Sequence, residues 1–139
     1  KLGWLYKSLL TEIENSPVNQ NVRLLHQVQD ADLPALLSAA TVFAFPSIYE
    51  GFGLPPLEAM ACSTPVVCAN TSSLPEVVGS AALMCEPLII DAWHTEIHRL
   101  LLDKDLQEAL SQNGIIQSKK FTWNAVAAAT SNLYKTLLG

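Results

Sequence analysis

The strongest constraint on this chain is a set of short apolar segments that do not alternate with polar residues and are separated by stretches of helical spacing. Thr41-Val42-Phe43-Ala44-Phe45 is β-branched and aromatic without alternation, and Pro65-Val66-Val67-Cys68-Ala69 and Ala82-Leu83-Met84 are further short apolar runs. A strand with no polar face must be covered on both sides, as in parallel sheets layered between helices. Leu33 to Ala40 reads as a helix, with Asp30 as its N-cap and Pro34 tolerated in the first turn. A second helix is entered at Pro55-Pro56, and a short third covers Leu74 to Val78 before Gly79. Helices over about 91–102, about 105–119 with a break near Gly114, and from a Thr122 cap to Leu138 complete the chain. An amphipathic helix over 2–14 opens it, and Val22 to Leu25 reads as a further short strand. Strands alternating with helices predict a three-layer α/β architecture with a parallel sheet and right-handed crossovers.

A chain of 139 residues that is half hydrophobic and 15% charged has room for one domain with a substantial core, and disorder is not expected. Its net charge of -5 argues against a nucleic-acid partner, which needs a basic face to displace counterions. No apolar run approaches a membrane span and the start does not read as a signal peptide, so a cytoplasmic protein is expected. Cys62, Cys68 and Cys85 contain no C-x2-C pair and fit reduced thiols rather than a disulfide framework or zinc site. The chain begins on Lys1 within an amphipathic stretch, as expected of a piece of a longer polypeptide.

The chemistry is concentrated between Pro46 and Ala61, where a strand end, a glycine loop and a helix N-terminus follow one another. Ligands of open parallel sheets bind beyond the carboxyl ends of the strands, which is where the Ser47–Leu54 loop must lie. Gly51 and Gly53 allow backbone amides to approach a ligand closely, and the positive end of a helix dipole favours an anion there. A diphosphate held without a metal suits such a place. Glu50 precedes the glycines and Glu58 lies about one turn into the helix, so both can face the same rim from different elements. Carboxylates accept from hydroxyls, and sugars offer vicinal hydroxyl donors. Taken alone, a G-x-G before a proline-entered helix is more often an ordinary turn with a solvated first-turn acid.

The whole string decides otherwise. Glu50 and Glu58, separated by the seven residues Gly51-Phe52-Gly53-Leu54-Pro55-Pro56-Leu57, resemble the E-x7-E signature of glycosyltransferase family 4. Gly3-Trp4-Leu5-Tyr6, Leu33-Pro34-Ala35-Leu36, Cys62 to Val67, Leu74 to Gly79 and Phe121-Thr122-Trp123 extend the resemblance in family order over essentially all 139 residues. The resemblance implies a GT-B fold of two Rossmann-like domains facing a cleft. This chain would be a partial C-terminal domain, a Rossmann-like parallel sheet with helices on both faces. It implies metal-independent transfer of a sugar from a nucleotide-diphosphate sugar donor, with retention of anomeric configuration. Glu50 would be the catalytic residue contacting the transferred sugar, Gly51, Phe52, Gly53 and Leu54 would present backbone to sugar and phosphate, and Glu58 would bind the ribose diol. It also implies an acceptor-binding N-terminal domain and, on the first strands of the C-terminal domain, a Lys/Arg pair at the diphosphate, both outside this chain, so the fragment is expected to be inactive alone. The acceptor, whether glycan, lipid or small molecule, stays open, as does peripheral membrane association of the full-length protein. Two departures stand out: Ser63 where the family usually has glycine, and His26-Gln27 in place of a glycine-containing pair.

His94 and His98 are four apart on a probable helix, but the zincin order is absent, so a surface pair is expected rather than a metal site. His26 reads as a loop histidine, Glu76 as a first-turn acid with an occasional ligand role, Cys62 and Cys68 as small core residues, and Trp123 as a packing anchor. Two other functions fit the architecture. A sugar-nucleotide epimerase or phosphorylase would share the fold but is disfavoured by the E-x7-E spacing. A non-catalytic nucleotide-sugar-binding or interaction module is disfavoured by the retained Glu50 and Glu58.

Overall fold

The computed structural model describes residues 6–138, so Gly3, Trp4 and Leu5 of the expected first helix lie outside the described residues. Two compact units partition the chain, 1–33 and 34–139.

In the first unit, helix α1 (Tyr6–Asn15) ends where Ser16 N–H bonds the Ile13 carbonyl at 3.1 Å, and a 3₁₀ turn follows at Asn19–Asn21. Val22 to Leu25, expected as a strand, joins no ladder, and its apolar side chains Val22, Leu24 and Leu25 are exposed. Apolarity alone does not make a strand: the Val22 N–H is spent on the Asn19 carbonyl at 3.0 Å, closing the 3₁₀ turn, and the segment has no ladder partner among the described residues. Asp30 is not a cap, because it sits in the turn whose amides at Asp32 and Leu33 bond the Gln29 carbonyl, and helix α2 (Leu33–Ser38) begins three residues later.

The second unit is built on a three-stranded parallel sheet in the order β1-β2-β3: Phe43–Phe45, Val66–Ala69 and Leu83–Cys85. Phe43 pairs with Val66 and Phe45 with Cys68, while Val67 pairs with Leu83 and Ala69 with Cys85. All four residues of β2 are buried, as a parallel strand covered on both faces requires. β1 departs from that expectation. It is an edge strand, two residues shorter than its apolar run, with Ala44 exposed and Phe43 and Phe45 only half-buried.

Helix α3 (Leu54–Ala61) connects β1 to β2 and packs against both, and α4 (Leu74–Val78) connects β2 to β3. After β3, α5 (Ile90–Leu102) covers β2 and β3, and α6 (Lys104–Ser118) packs against α3 and α5. Val67, Cys85, Leu100 and Leu110 form a core cluster, with Trp93, Ile97 and Leu106 against it. Asp103 caps α6 by accepting from Leu106 N–H at 2.9 Å.

Helix α6 is unbroken at Gly114, and its glycine has another cause. A Cβ there would meet Met60 Cγ at 3.1 Å and Met60 Cα at 3.4 Å, so the missing side chain lets α6 lie directly on α3. Ser63 has φ +65, the left-handed conformation for which glycine is the natural residue. Thr64, buried behind it, donates its hydroxyl to the Leu37 carbonyl at 2.7 Å. Helix α7 (Trp123–Leu138) begins where Ala125 N–H bonds Thr122 Oγ1 at 3.1 Å, confirming the cap, and it buries none of its residues. Among the described residues, no helix is long and apolar enough to cross a membrane.

Candidate functional site

Because β1 and β2 are parallel neighbours, the loops leaving their carboxyl ends, 46–53 and 70–73, share one rim of the sheet. The longer loop buries little apolar surface: Ile48 and Tyr49 are exposed. It is held by polar contacts from the shorter one. Ser72 Oγ accepts from Glu50 N–H at 2.9 Å and donates to the Glu50 carbonyl at 3.1 Å. Ser73 Oγ donates to the Phe52 carbonyl at 2.7 Å and lies 3.1 Å from that of Glu50.

Gly53 and Gly51 differ in what they permit. Gly53 stands at the N-cap of α3 with φ +113, is buried, and a Cβ on it would meet Leu74 Cδ2 at 2.8 Å. Gly51 is exposed, and a Cβ on it would meet nothing within 4 Å. Among the described residues the N–H groups of Gly51, Phe52 and Gly53 donate to no backbone carbonyl, and Leu54, the first residue of α3, has no intrahelical acceptor. Because α3 begins at Leu54 rather than Pro55, both prolines fall in its first turn and remove two donors from it. The amides available to an anion are therefore those of the loop, 51–54, more than those of the helix.

Glu58 is exposed and Glu50 half-buried, and among the described residues neither carboxylate has a hydrogen-bond or ion-pair partner. Phe52, Leu54 and Glu58 come together on a groove of about 840 Å³ also lined by Leu57, Lys119, Phe121 and Trp123. Phe52 meets Phe121 edge-on, with ring centroids 5.7 Å apart. Glu50, Gly51 and Gly53 do not line this groove. Trp123, expected to anchor packing, is 86% exposed on its wall. The arrangement offers two unpaired carboxylates, a row of undirected amides and aromatic surface, a set of groups suited to a polyhydroxylated anion with a ring to stack.

Lys119, Phe121 and the Ser72-Ser73 pair were not singled out by the sequence as site residues. The serines lie 21 to 23 residues from the carbonyls they hold. Only the adjacency of β1 and β2 brings them together, and no local signal carries that.

The other candidates have structural explanations. His94 and His98 are exposed with rings stacked at 5.8 Å, and Glu96 instead faces Arg99 at 3.4 Å. Among the described residues no three His, Cys, Asp or Glu side chains are grouped to hold a metal ion. His26 and Glu76 are exposed. Burial, with the Cys85 thiol nearby, pushes the Cys68 thiol up to about 12, so it stays neutral in the core.

A protein-family model described as "Glycosyl transferases group 1" matches residues 3–117. O-antigen chain mannosyltransferase B of Escherichia coli is 44% identical over 135 residues, covering 97% of this chain and 35% of that protein. MMP alpha-(1->4)-mannosyltransferase of Mycolicibacterium hassiacum is 39% identical over 112 residues, covering 78% of this chain and 27% of that protein. Sucrose-phosphate synthase from Thermosynechococcus elongatus superimposes with a TM-score of 0.83 at 30% identity, over 94% of this chain and 33% of that one. The chain thus spans about a third of the length of the first of these relatives.

Proposed function

Because this chain belongs to the glycosyl transferases group 1 family, we propose that it supplies the nucleotide-sugar-binding part of a retaining glycosyltransferase. The observation that carries the reading is the rim at the carboxyl end of β1, where the Glu50 and Glu58 carboxylates, without a partner among the described residues, flank in sequence the amides of Gly51, Phe52 and Gly53, which donate to no backbone carbonyl among those residues. Glu50 reads the hydroxyls of the transferred sugar, and Glu58 accepts from the ribose diol. The loop amides receive the diphosphate as it departs. The transition state is oxocarbenium-like, so fixed dipoles aimed at the growing charge on the leaving group are the protein's main contribution. No metal is required for that task. Two mannosyltransferases among the relatives favour mannose as the transferred sugar, and the first of them favours a growing polysaccharide as acceptor. Transfer itself requires the full-length protein.

The test is a pair of variants in the full-length protein. Glu58→Gln is expected to weaken UDP or GDP binding by about 1.5–3 kcal/mol in calorimetry, the range of a charge-assisted hydrogen bond. Glu50→Ala is expected to lower turnover far more than nucleoside diphosphate affinity. Unchanged affinity in a folded Glu58→Gln would remove that residue from the site. Activity is expected to persist in EDTA, and its loss with rescue by Mg²⁺ or Mn²⁺ would overturn the metal-free assignment.

A further inference from the structure

Ser72 and Ser73 each stand where a simpler residue would serve the fold as well. Ser72 has φ +48, in the left-handed region that a residue with a Cβ enters only at a cost and that glycine occupies freely. What serine adds is the hydroxyl, and both of its capacities are spent on one residue, accepting from Glu50 N–H and donating to Glu50 C=O. Ser73 precedes α4 in the N-cap position, yet its side chain makes no cap hydrogen bond. One potential partner, at Pro75, has no N–H. Its hydroxyl instead reaches across to the carbonyls of Phe52 and Glu50.

Holding those two carbonyls fixes more than their own positions. In a trans peptide the C=O and the following N–H point in opposite directions, and the described chain has no cis bond. Drawing the Glu50 and Phe52 carbonyls toward the serines therefore turns the N–H groups of Gly51 and Gly53 away from them. These are two of the amides assigned above to the ligand. Gly51 is itself exposed.

We propose that Ser72 and Ser73 are positioning residues of the donor site: by gripping both peptide groups of Glu50 and the carbonyl of Phe52, they aim the Glu50 carboxylate and the Gly51 and Gly53 amides at the donor. The inference rests on the reading of Glu50 as the sugar-contacting residue. It explains why a strained serine is kept at 72 and why the serine at 73 leaves its helix uncapped.

The experiment compares Ser72→Gly, Ser73→Ala and Ser73→Thr with wild type in the full-length protein. The readouts are kcat and KM with GDP-mannose and UDP-glucose as donors, and thermal unfolding. Ser72→Gly relieves the backbone while removing the hydroxyl. Its melting temperature is expected to be unchanged or higher while kcat falls on the order of 10–100-fold, the scale of a small misplacement at a reacting centre, with KM little altered. Ser73→Ala is expected to lower kcat in the same way, and Ser73→Thr, which keeps the hydroxyl, to restore most of it. Wild-type kcat in a folded Ser72→Gly and in Ser73→Ala would overturn the proposal, leaving the serines as turn formers. Equal losses in Ser73→Ala and Ser73→Thr would also overturn it, since the hydroxyl would not be the operative group. Glu50→Ala run alongside separates the two levels. If it abolishes turnover while the serine variants run normally, only the positioning role fails. If it leaves turnover intact, the reading of Glu50 beneath the proposal fails with it.

Discussion

The two strand-to-helix crossings that share the sheet's rim differ in length and in how they are anchored. The crossing from β2 to α4 takes four residues, 70–73, and ends on Leu74, which is fully buried. The crossing from β1 to α3 takes eight, 46–53, exposes Ile48 and Tyr49, and is held through carbonyls and one amide gripped from its neighbour. Hydrogen bonds hold both, with Asn70 N–H on the Cys85 carbonyl at 2.7 Å and Leu74 N–H on the Thr71 carbonyl at 3.2 Å in the first, but only the first ends on a buried apolar side chain. The difference teaches which loop is free to meet a ligand: one that keeps unpaired amides on exposed residues, as at Gly51 and Phe52, can be read by something else. The packed crossing then acts as the bench on which the open one is mounted, with Leu74 against Gly53 as the point of contact.

Leu74 should accordingly carry the largest effect. Leu74→Ala is expected to destabilise by about 3–4 kcal/mol, within the range for a leucine truncated in a packed core. Urea denaturation of the full-length protein, followed by a probe of this domain, checks it. A cost below about 1 kcal/mol would mean that the site collapses to fill the hole and that the bench is not rigid.

Gly53→Ala comes next. It adds a Cβ at a φ of +113 and 2.8 Å from Leu74 Cδ2, and the buried leucine cannot swing into solvent. A loss of about 2–3 kcal/mol is expected from backbone strain and overpacking together. The double variant Gly53→Ala/Leu74→Ala sharpens the comparison, because the truncated leucine leaves room for the new methyl. Its loss should be smaller than the sum of the singles by about 1 kcal/mol. Strict additivity would show that the φ alone, and not the contact with Leu74, makes glycine necessary.

The same contrast explains how far sequence reading reached. The fully buried β2, the helix at Leu74–Val78 and the Thr122 cap were legible because burial, proline and capping chemistry write themselves into neighbouring residues. Val22 to Leu25 was misread because a short, mostly apolar run carries no mark of whether a pairing partner exists. Gly114 was misread as a break because a glycine that admits another helix looks, in sequence, like one that ends its own. At the site, Glu50 and Glu58 were visible through the resemblance of their spacing to a known signature. The serine pair that holds the loop was not, since its partners lie on a different crossing and meet it only once β1 and β2 are side by side.

Gly51 should give the smallest effect on the fold and so the cleanest separation of the two crossings. Its φ is not in the left-handed region, and a Cβ there meets nothing within 4 Å. By conformational entropy alone, Gly51→Ala is expected to leave stability within about 0.5 kcal/mol or raise it slightly. On the proposed reading, a ligand that approaches the backbone too closely for a methyl is what makes it glycine. The prediction is a normal urea midpoint with affinity for UDP or GDP, or turnover of the nucleotide sugar, reduced by about tenfold or more, since one methyl crowding a bound anion costs on the order of 1–3 kcal/mol. A variant that is as stable and as active as wild type would show that the open face of the loop meets no ligand, and the donor would have to be placed instead along the groove between Glu58 and Trp123. Gly53→Ala cannot make this distinction, because its damage to the fold and its damage to the site arrive together.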